Sequence, residues 1–194
     1  MNILTILGSP RKNGNTAGVL EMVDKELSSR HQVERLAITA MKVNGCLGCE
    51  ACQKVADRPG CVQKDDAVAI FERMMAADAV IYSSPLYCWD FSSQMKALID
   101  RHFCLVTGYG TANHRSLIAG KPTALLVTCG GPVKGNADVI QTVFDRVCNY
   151  GKTRIVNKTV IPFCTTPAAL GEDARAAARK LAGDINGALR QASR

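Results

Sequence analysis

The first stretch whose residues could do chemistry is a polar loop at residues 8–16, Gly-Ser-Pro-Arg-Lys-Asn-Gly-Asn-Thr. It follows a short apolar run that is typical of a buried strand, and it precedes apolar residues at the three- and four-residue steps of a helix. Such a loop gathers unpaired backbone N–H groups, side-chain donors and the positive end of the helix dipole at one point. This arrangement suits a phosphate group.

Two common phosphate-binding patterns do not match this loop. A nucleotide triphosphatase loop that began at Gly8 would need a second glycine at position 13, where Asn13 stands. The dinucleotide fingerprint needs three spaced glycines, whereas the loop holds only Gly8 and Gly14. The loop is therefore typical of a site for a terminal monophosphate without an obvious metal site. The alternative is an ordinary strand-to-helix connection in which Asn15 or Thr16 caps the helix.

The second stretch with chemical potential is a cysteine-bearing loop, which holds Cys46, Cys49, Cys52 and Cys61. Two intervals of three residues place three thiols close together, and the fourth follows nine positions later, as in peptides that wrap an iron–sulfur cluster. A zinc site, a redox disulfide and unligated thiols remain alternatives. The other five cysteines are scattered among apolar residues, and we expect them to be small buried hydrophobes.

The elements that position these loops follow from hydrophobic periodicity. Five apolar runs predict strands. Apolar residues at helical spacing follow four of these runs directly, whereas the second run leads first into the cysteine-bearing loop. The strands are predicted at residues 3–7, 31–38, 79–82, 122–128 and 156–163. Alternation of this kind indicates an α/β fold with a parallel sheet covered by helices on both faces. The polar loops after the first, third and fourth strands then meet at the carboxyl edge of the sheet, where ligands bind in open α/β sheets.

Composition limits the class of protein. A chain of 194 residues with 47% hydrophobic and 21% charged residues is long enough for a large core, and we expect residues 1–194 to form one domain. No apolar stretch is long enough for membrane insertion, and no leader precedes the first strand, so we expect a cytoplasmic protein. The net charge of +7 is dispersed and only 5% of residues are aromatic, so we expect no nucleic-acid partner.

Three segments together resemble one known family. They are the loop at residues 8–16, the end of the cysteine loop at Cys61-Val-Gln-Lys-Asp-Asp, and Ser84-Pro-Leu-Tyr followed by Gln94-Met-Lys-Ala-Leu-Ile-Asp-Arg. The combination resembles the NADPH-dependent FMN reductases, in particular the iron–sulfur flavoprotein branch. The resemblance implies a flavodoxin-like three-layer sandwich, with a five-stranded parallel sheet of order 2-1-3-4-5. It also implies a single FMN-binding domain.

The resemblance assigns cofactor-binding roles to three groups of residues. The FMN phosphate would be held by Ser9, Arg11, Asn15 and Thr16. The isoalloxazine ring would lie along Pro85, Leu86, Tyr87 and Trp89, although Trp89 could instead be a core or interface aromatic residue. The edge of the isoalloxazine ring would lie beside Thr128, Cys129, Gly130 and Gly131. In the iron–sulfur branch, the metal ligands would be Cys46, Cys49, Cys52 and Cys61.

The function implied by the resemblance is FMN-dependent oxidoreduction, with NAD(P)H as co-substrate and a quinone, a flavin or a similar small molecule as acceptor. One alternative is an electron-transfer protein that uses ferredoxin and a [4Fe–4S] cluster, and another is a flavodoxin-like carrier that does not turn over pyridine nucleotide. We predict no catalytic side chain, because the flavin carries the chemistry, and we expect structural roles for His102 and His114. The resemblance also implies a homodimer or homotetramer, with residues 104–121 near the interface.

Overall fold

The architecture of residues 1–192, which a computed structural model describes, is a parallel five-stranded sheet between two layers of helices. The order in the sheet is β2-β1-β3-β6-β7. The strands are β1 (Asn2–Leu7), β2 (Gln32–Ala37), β3 (Ala79–Pro85), β4 (Val106–Thr107), β5 (Arg115–Ser116), β6 (Pro122–Thr128) and β7 (Arg154–Ile161). The helices are α1 (Asn15–Ser28), α2 (Ala67–Ala76), α3 (Ser93–Asp100), α4 (Asp138–Tyr150) and α5 (Glu172–Ala192).

The predicted fold is confirmed. Counted within the main sheet alone, the strand order is the predicted 2-1-3-4-5, and each of the four pairings is parallel. The small antiparallel pair of β4 and β5 was not predicted. Two residues per strand are too few to produce a visible alternation of apolar and polar side chains.

Each face of the sheet has its own hydrophobic core. Side chains alternate along β1, so that Leu4 and Ile6 join the core under α2, α3 and α4, while Ile3 and Leu7 join the core under α1 and α5. Parallel strands covered on both faces are continuously apolar, and β6 is buried along its whole length. The carboxyl ends of β1, β3 and β6 are thereby fixed beside one another.

The cysteine-bearing loop joins β2 to α2 through two short 3-10 turns. Its end is attached at the start of α2, where Asp65 Oδ1 accepts a hydrogen bond of 3.3 Å from the backbone N–H of Ala67. The side chain of Asp66, the N-cap residue of this helix, makes no capping bond. Among the helices that the structure describes, none is long and apolar enough to cross a bilayer.

His102 lies in the core beyond the end of α3. Its ring packs edge-on against Phe71 and Tyr82, and its Nε2 atom is buried without a hydrogen-bond partner among the described residues. Burial lowers the pKa of His102 to about 4, although the charge of Asp100 acts in the opposite direction. These contacts support the predicted structural role.

We expect the buried His102 to make the fold acid-sensitive. An unfolded histidine binds its proton below a pH of about 6.5, whereas folded His102 does so only below a pH of about 4. Protonation therefore favours the unfolded chain between these two values, and the free energy of unfolding falls as the pH drops from about 6.5 to about 4. The expected loss is about 3 kcal/mol. Urea denaturation between pH 7 and pH 4 measures it, and His102→Phe should remove this part of the pH dependence. Equal pH dependence in the two proteins would contradict the prediction.

Candidate functional site

The loops at the carboxyl edge of the sheet enclose a cleft of about 200 Å³. Loops after β1, β3, β6 and β7 all contribute to it. The residues that line it are Ser9, Arg11, Gly14, Asn15, Thr16, Pro85, Leu86, Tyr87, Thr128, Cys129, Gly130, Cys164 and Thr165. The cleft therefore contains all of the predicted cofactor-binding residues except Trp89 and Gly131.

One end of the cleft is formed by the N-terminus of α1. Gly14 is the N-cap residue and no side chain caps the helix, so the predicted alternative, capping by Asn15 or Thr16, is wrong. The first helical hydrogen bond runs from Gly18 N to Gly14 O at 3.0 Å, so the backbone N–H groups of residues 15–17 lack helical partners. Uncapped N–H groups and the helix dipole favour an anion at this position.

Two buried hydroxyl groups join the loop at residues 8–16, which we call the phosphate loop after its predicted ligand, to β6. Thr16 Oγ1 and Thr128 Oγ1 lie 2.7 Å apart, and both side chains are buried. One hydroxyl donates its hydrogen to the oxygen of the other. The hydrogen of the accepting hydroxyl is therefore available to a further acceptor. Asn15 adds a complementary group, because its Oδ1 atom is buried without a partner among the described residues. The site therefore offers a donor suited to a phosphate and an acceptor suited to a ligand hydroxyl.

A tight turn beyond β3 forms the second wall. Tyr87 and Asp90 exchange backbone hydrogen bonds of 3.1 and 3.0 Å, so that Cys88 and Trp89 occupy the turn between them. Both of these residues have left-handed backbone conformations, with φ angles of 47° and 64°. Backbone strain of this kind concentrates at functional sites. Trp89 is 58% exposed at the tip of the turn, so it is not a core residue.

The loop beyond β6 contributes Cys129 and Gly130 to the lining of the cleft. Gly131 lies behind them, where its carbonyl oxygen accepts hydrogen bonds from the Cys129 thiol at 3.3 Å and from the backbone N–H of Phe163 at 3.4 Å. These hydrogen bonds join Gly131 to its own loop and to the loop after β7, and its contact with the cofactor stays a prediction.

Cys164 and Thr165, which follow β7, also line the cleft and were missed by sequence reasoning. The backbone oxygen of Thr165 accepts a hydrogen bond of 3.4 Å from the side-chain amide of Asn15, which ties this loop to the phosphate loop. The sequence contained a signal for these residues, because the loop after the fifth strand lies at the same carboxyl edge of the sheet as the loops after the first, third and fourth strands.

Cys164 is half-buried and Cys88 is exposed, so the expectation that all five scattered cysteines are buried is wrong for these two.

Gly8 marks the closest approach between the phosphate loop and the elements beside it. Its N–H donates to Ser83 O at 2.8 Å, and its carbonyl accepts from Ser92 Oγ at 2.5 Å. A Cβ atom at this position would lie 2.8 Å from Met95 Cβ and 3.1 Å from Ser83 O. A side chain at position 8 would therefore push α3 and β3 away from the phosphate loop.

We expect Gly8→Ala to destabilise the fold by about 1–3 kcal/mol, the usual cost of overpacking. Gly183→Ala is the matched control, since a Cβ there meets no atom within 4 Å and alanine is the better helix former. Thermal unfolding of both variants measures the difference. If Gly8→Ala unfolds at the wild-type temperature, the described packing is incorrect.

The four cysteines of the second candidate site lie around one small pocket, together with Cys104 and Phe103. Cys46 and Cys49 are exposed, whereas Cys52 and Cys61 are half-buried. Burial raises the pKa of Cys52, and negative charge on Cys61 and Cys46 raises it further. Within residues 1–192, no three side chains of His, Cys, Asp or Glu converge closely enough to hold a metal ion. The donor chemistry suits an iron–sulfur cluster, but the described side-chain positions do not form one, so cluster ligation stays a prediction.

Arg101 connects this cysteine pocket to the core. Its guanidinium pairs with the carboxylate of Asp65, and both side chains are almost completely buried. The same guanidinium donates to Cys61 Sγ at 3.2 Å and to the backbone oxygen of Asn44 at 3.3 Å. Gln53 provides a second attachment, through hydrogen bonds of 2.8 and 2.9 Å to the backbone oxygens of Phe103 and Val106. These contacts fix both ends and the middle of the loop.

The comparison with known families decides where the chain belongs. Residues 1–143 match the sequence profile of the family described as NADPH-dependent FMN reductase. The chain belongs to this family. Its matched part contains β1, β3 and β6 with the three polar loops that follow them.

Several relatives of this FMN reductase chain are named iron–sulfur flavoproteins. One from Archaeoglobus fulgidus is 38% identical over 132 residues, which cover 68% of this chain and 56% of that protein. One from Methanosarcina thermophila is 31% identical over 152 residues, covering 78% of this chain and 75% of the relative. The chain thus spans little more than half the length of the first relative.

The structural comparison agrees with the family assignment at the level of the fold. The chain superposes on the NAD(P)H:quinone oxidoreductase from Methanothermobacter marburgensis with a TM-score of 0.71, over 96% of each chain and at 20% sequence identity. Similarity at this level of identity establishes a shared fold.

The cleft of this family member fits FMN by its own chemistry. The uncapped end of α1 and the hydroxyl pair suit the phosphate, the unpartnered Asn15 Oδ1 suits a hydroxyl of the ribityl chain, and the segment from Pro85 to Tyr87 offers an apolar wall. The fit therefore rests on residues at the carboxyl ends of three strands, β1, β3 and β6.

Proposed function

We propose that this chain is an FMN-dependent oxidoreductase that passes electrons from NAD(P)H to a quinone, a flavin or a similar small acceptor. The observation that carries the proposal is the cleft, which joins an anion site at the start of α1 to an apolar wall after β3. Family membership supports the cofactor, and the printed name of the Methanothermobacter marburgensis protein supports the acceptor class. When bound, FMN would supply the hydride-accepting and electron-donating chemistry.

The residues of the chain would then bind and orient the reactants. We infer that the N–H groups of residues 15–17, with Arg11 and the Thr16 hydroxyl, hold the phosphate. Pro85, Leu86 and Tyr87 would orient the ring, and the small residues Cys129 and Gly130 would allow the backbone to approach the ring edge. Trp89 stands exposed beside this wall, where a flat acceptor or the nicotinamide ring could pack against it. No side-chain acid or base is needed at the reacting carbon.

Steady-state turnover tests this proposal. The chain reconstituted with FMN should oxidise NADPH or NADH in the presence of a soluble naphthoquinone, faster than the same concentration of free FMN. Trp89→Ala should raise KM for the quinone, whereas Cys88→Ser, a change to the exposed neighbour in the same turn, should leave KM near its wild-type value. Tight FMN binding without oxidation of either nucleotide would favour the flavodoxin-like carrier.

A second candidate function is electron transfer between ferredoxin and the flavin through a [4Fe–4S] cluster. It is favoured by one observation, that the four loop cysteines and Arg101 surround one pocket. Anaerobic purification should then yield a brown protein with about four iron and four sulfide per chain. Cys49→Ser should lower the iron content, and Cys88→Ser, an exposed cysteine outside the loop, should not. A yellow, iron-free protein would exclude this function.

Assembly into a homodimer or homotetramer stays a prediction. Light scattering during size-exclusion chromatography measures it directly.

A further inference from the structure

Two cysteines line the flavin cleft from neighbouring strands. Cys129 follows β6 and is buried, while Cys164 follows β7 and is half-buried. The backbone N–H of Cys129 donates to Ile161 O at 3.0 Å, and the N–H of Cys164 donates to Cys129 O at 2.9 Å. The two residues are thus held beside each other by continuation of the sheet ladder beyond the strand ends.

The hydrogen bond between the two residues limits the distance between their Cα atoms. One Cα is bonded to the donor nitrogen and the other to the carbonyl carbon of the acceptor. With an N···O distance of 2.9 Å, standard bond lengths and the fixed angle at the carbonyl carbon place the Cα atoms at most about 6.8 Å apart. Cα atoms of disulfide-bonded cysteines lie about 4.4–6.8 Å apart. The separation of the two backbones therefore satisfies the Cα distance that a disulfide requires.

The hydrogen bonds that the two thiols donate are weak and go to backbone oxygens. Cys129 Sγ donates to Gly131 O at 3.3 Å, and Cys164 Sγ donates to Ile161 O at 3.3 Å. Burial raises the pKa of both thiols, and negative charge on Cys129 raises that of Cys164 further, as expected for two thiols close together. Rotation of each side chain would break a thiol hydrogen bond, which is a weak interaction.

We propose that Cys129 and Cys164 form a redox-active dithiol that reduces small-molecule disulfides and closes into an intramolecular disulfide across one wall of the cleft. This role goes beyond the proposed flavin function and does not depend on bound FMN. None of the four cysteines of the cysteine-bearing loop takes part.

The reaction balances as two thiol–disulfide exchanges. Cys164, the more exposed of the two, attacks one sulfur of the small disulfide as its thiolate, having released its proton to water. A mixed disulfide forms, and the leaving thiolate takes up a proton. Cys129 then releases its proton to water, and its thiolate attacks Cys164 Sγ, which breaks the mixed disulfide. The second small thiolate leaves and takes up a proton. The two cysteines lose two electrons and two protons in total, and the small disulfide gains them.

Oxidised glutathione, added in excess to the purified chain under argon, tests the proposal. Free thiols are then blocked with iodoacetamide, and the unreduced protein is digested for mass spectrometry. We expect a cross-linked pair of peptides that contain Cys129 and Cys164, lighter by two hydrogen atoms than the sum of the free peptides. Since this measurement uses the wild-type chain, a misfolded variant cannot decide its result.

Substitutions separate the two steps. Cys129→Ser should lose the cross-link and accumulate glutathione on Cys164, whereas Cys164→Ser should lose both products at this site. Cys148→Ser changes a buried cysteine outside the cleft and should keep the wild-type cross-link. If Cys129 in the wild-type chain is recovered fully alkylated, or if Cys129 and Cys164 each carry a separate glutathione, the proposal is wrong.

Discussion

Replacement of Arg101 by Met is expected to lower the free energy of unfolding by about 3–5 kcal/mol, because it leaves the buried carboxylate of Asp65 without its charged partner. The Asp65 side chain is completely buried and that of Arg101 is 1% exposed, so water cannot replace the lost contact. Burial is the largest single influence on the pKa of Asp65 and raises it, but the hydrogen bonds from Arg101, Asn44 and Ala67 together with the charge of Arg101 outweigh burial, so that the folded pKa is lowered. The Arg101→Met variant removes the hydrogen bond from Arg101, which lowers the pKa of Asp65 more than any other single contact.

Urea denaturation at pH 7 measures this effect. Lys96→Met is the matched control, since it breaks an ion pair with Asp100 on the exposed face of α3, where the expected cost is below about 1 kcal/mol. The double variant Arg101→Met/Asp65→Asn should recover part of the loss, because the amide is neutral. An Arg101→Met variant as stable as the Lys96→Met variant would show that the pair does not hold the cysteine loop to the core.

The combined variant Arg11→Ala/Thr16→Val is expected to weaken FMN binding at least about 100-fold. Each substitution removes a donor from the phosphate end of the cleft, and a hydrogen bond to a charged group contributes about 1.5–3 kcal/mol. Since about 1.4 kcal/mol corresponds to a factor of ten in affinity, two such losses give the expected change. Riboflavin, which lacks the phosphate, should bind the variant and the wild type with similar affinity.

Quenching of flavin fluorescence in equilibrium titrations measures both affinities. Thr142→Val is the control, because its hydroxyl bonds only to the backbone oxygen of Asp138 on the exposed side of α4. Equal weakening of FMN and riboflavin would place the two residues away from the phosphate. Unchanged FMN binding would exclude the phosphate loop from the site altogether.

The fold and three walls of the cleft follow from local patterns in the sequence. Apolar runs and helical spacing depend on neighbouring residues, so they predict the five main strands, and the carboxyl-edge rule then brings residues 8–16, 85–87 and 128–130 together. Cys164 and Thr165 lie in a loop of ordinary composition. The carboxyl-edge rule places this loop at the same edge of the sheet, and the contact of Asn15 with Thr165, which are 150 positions apart, ties it to the cleft.

Other features depend on three-dimensional contacts that a single sequence does not reveal. The Arg101–Asp65 pair joins residues that are 36 positions apart, and nothing in the local pattern marks either residue as buried. Trp89 is exposed because the Tyr87–Asp90 hydrogen bonds force two left-handed residues into the turn, and neither Cys88 nor Trp89 is a residue type that favours this conformation. The cysteine spacing predicts a common pocket, whereas the positions of the sulfur atoms depend on how the long loop packs.

We propose that the start of α1 binds the phosphate of FMN, and a comparison of FMN with riboflavin tests this proposal. Titration of the wild-type chain with each flavin, followed through the fluorescence of Trp89, the single tryptophan, gives the two dissociation constants. Because the charged phosphate would meet the N–H groups of residues 15–17 and the Thr16 hydroxyl, we expect FMN to bind at least about 100-fold more tightly than riboflavin. Equal affinities for FMN and riboflavin would contradict the account.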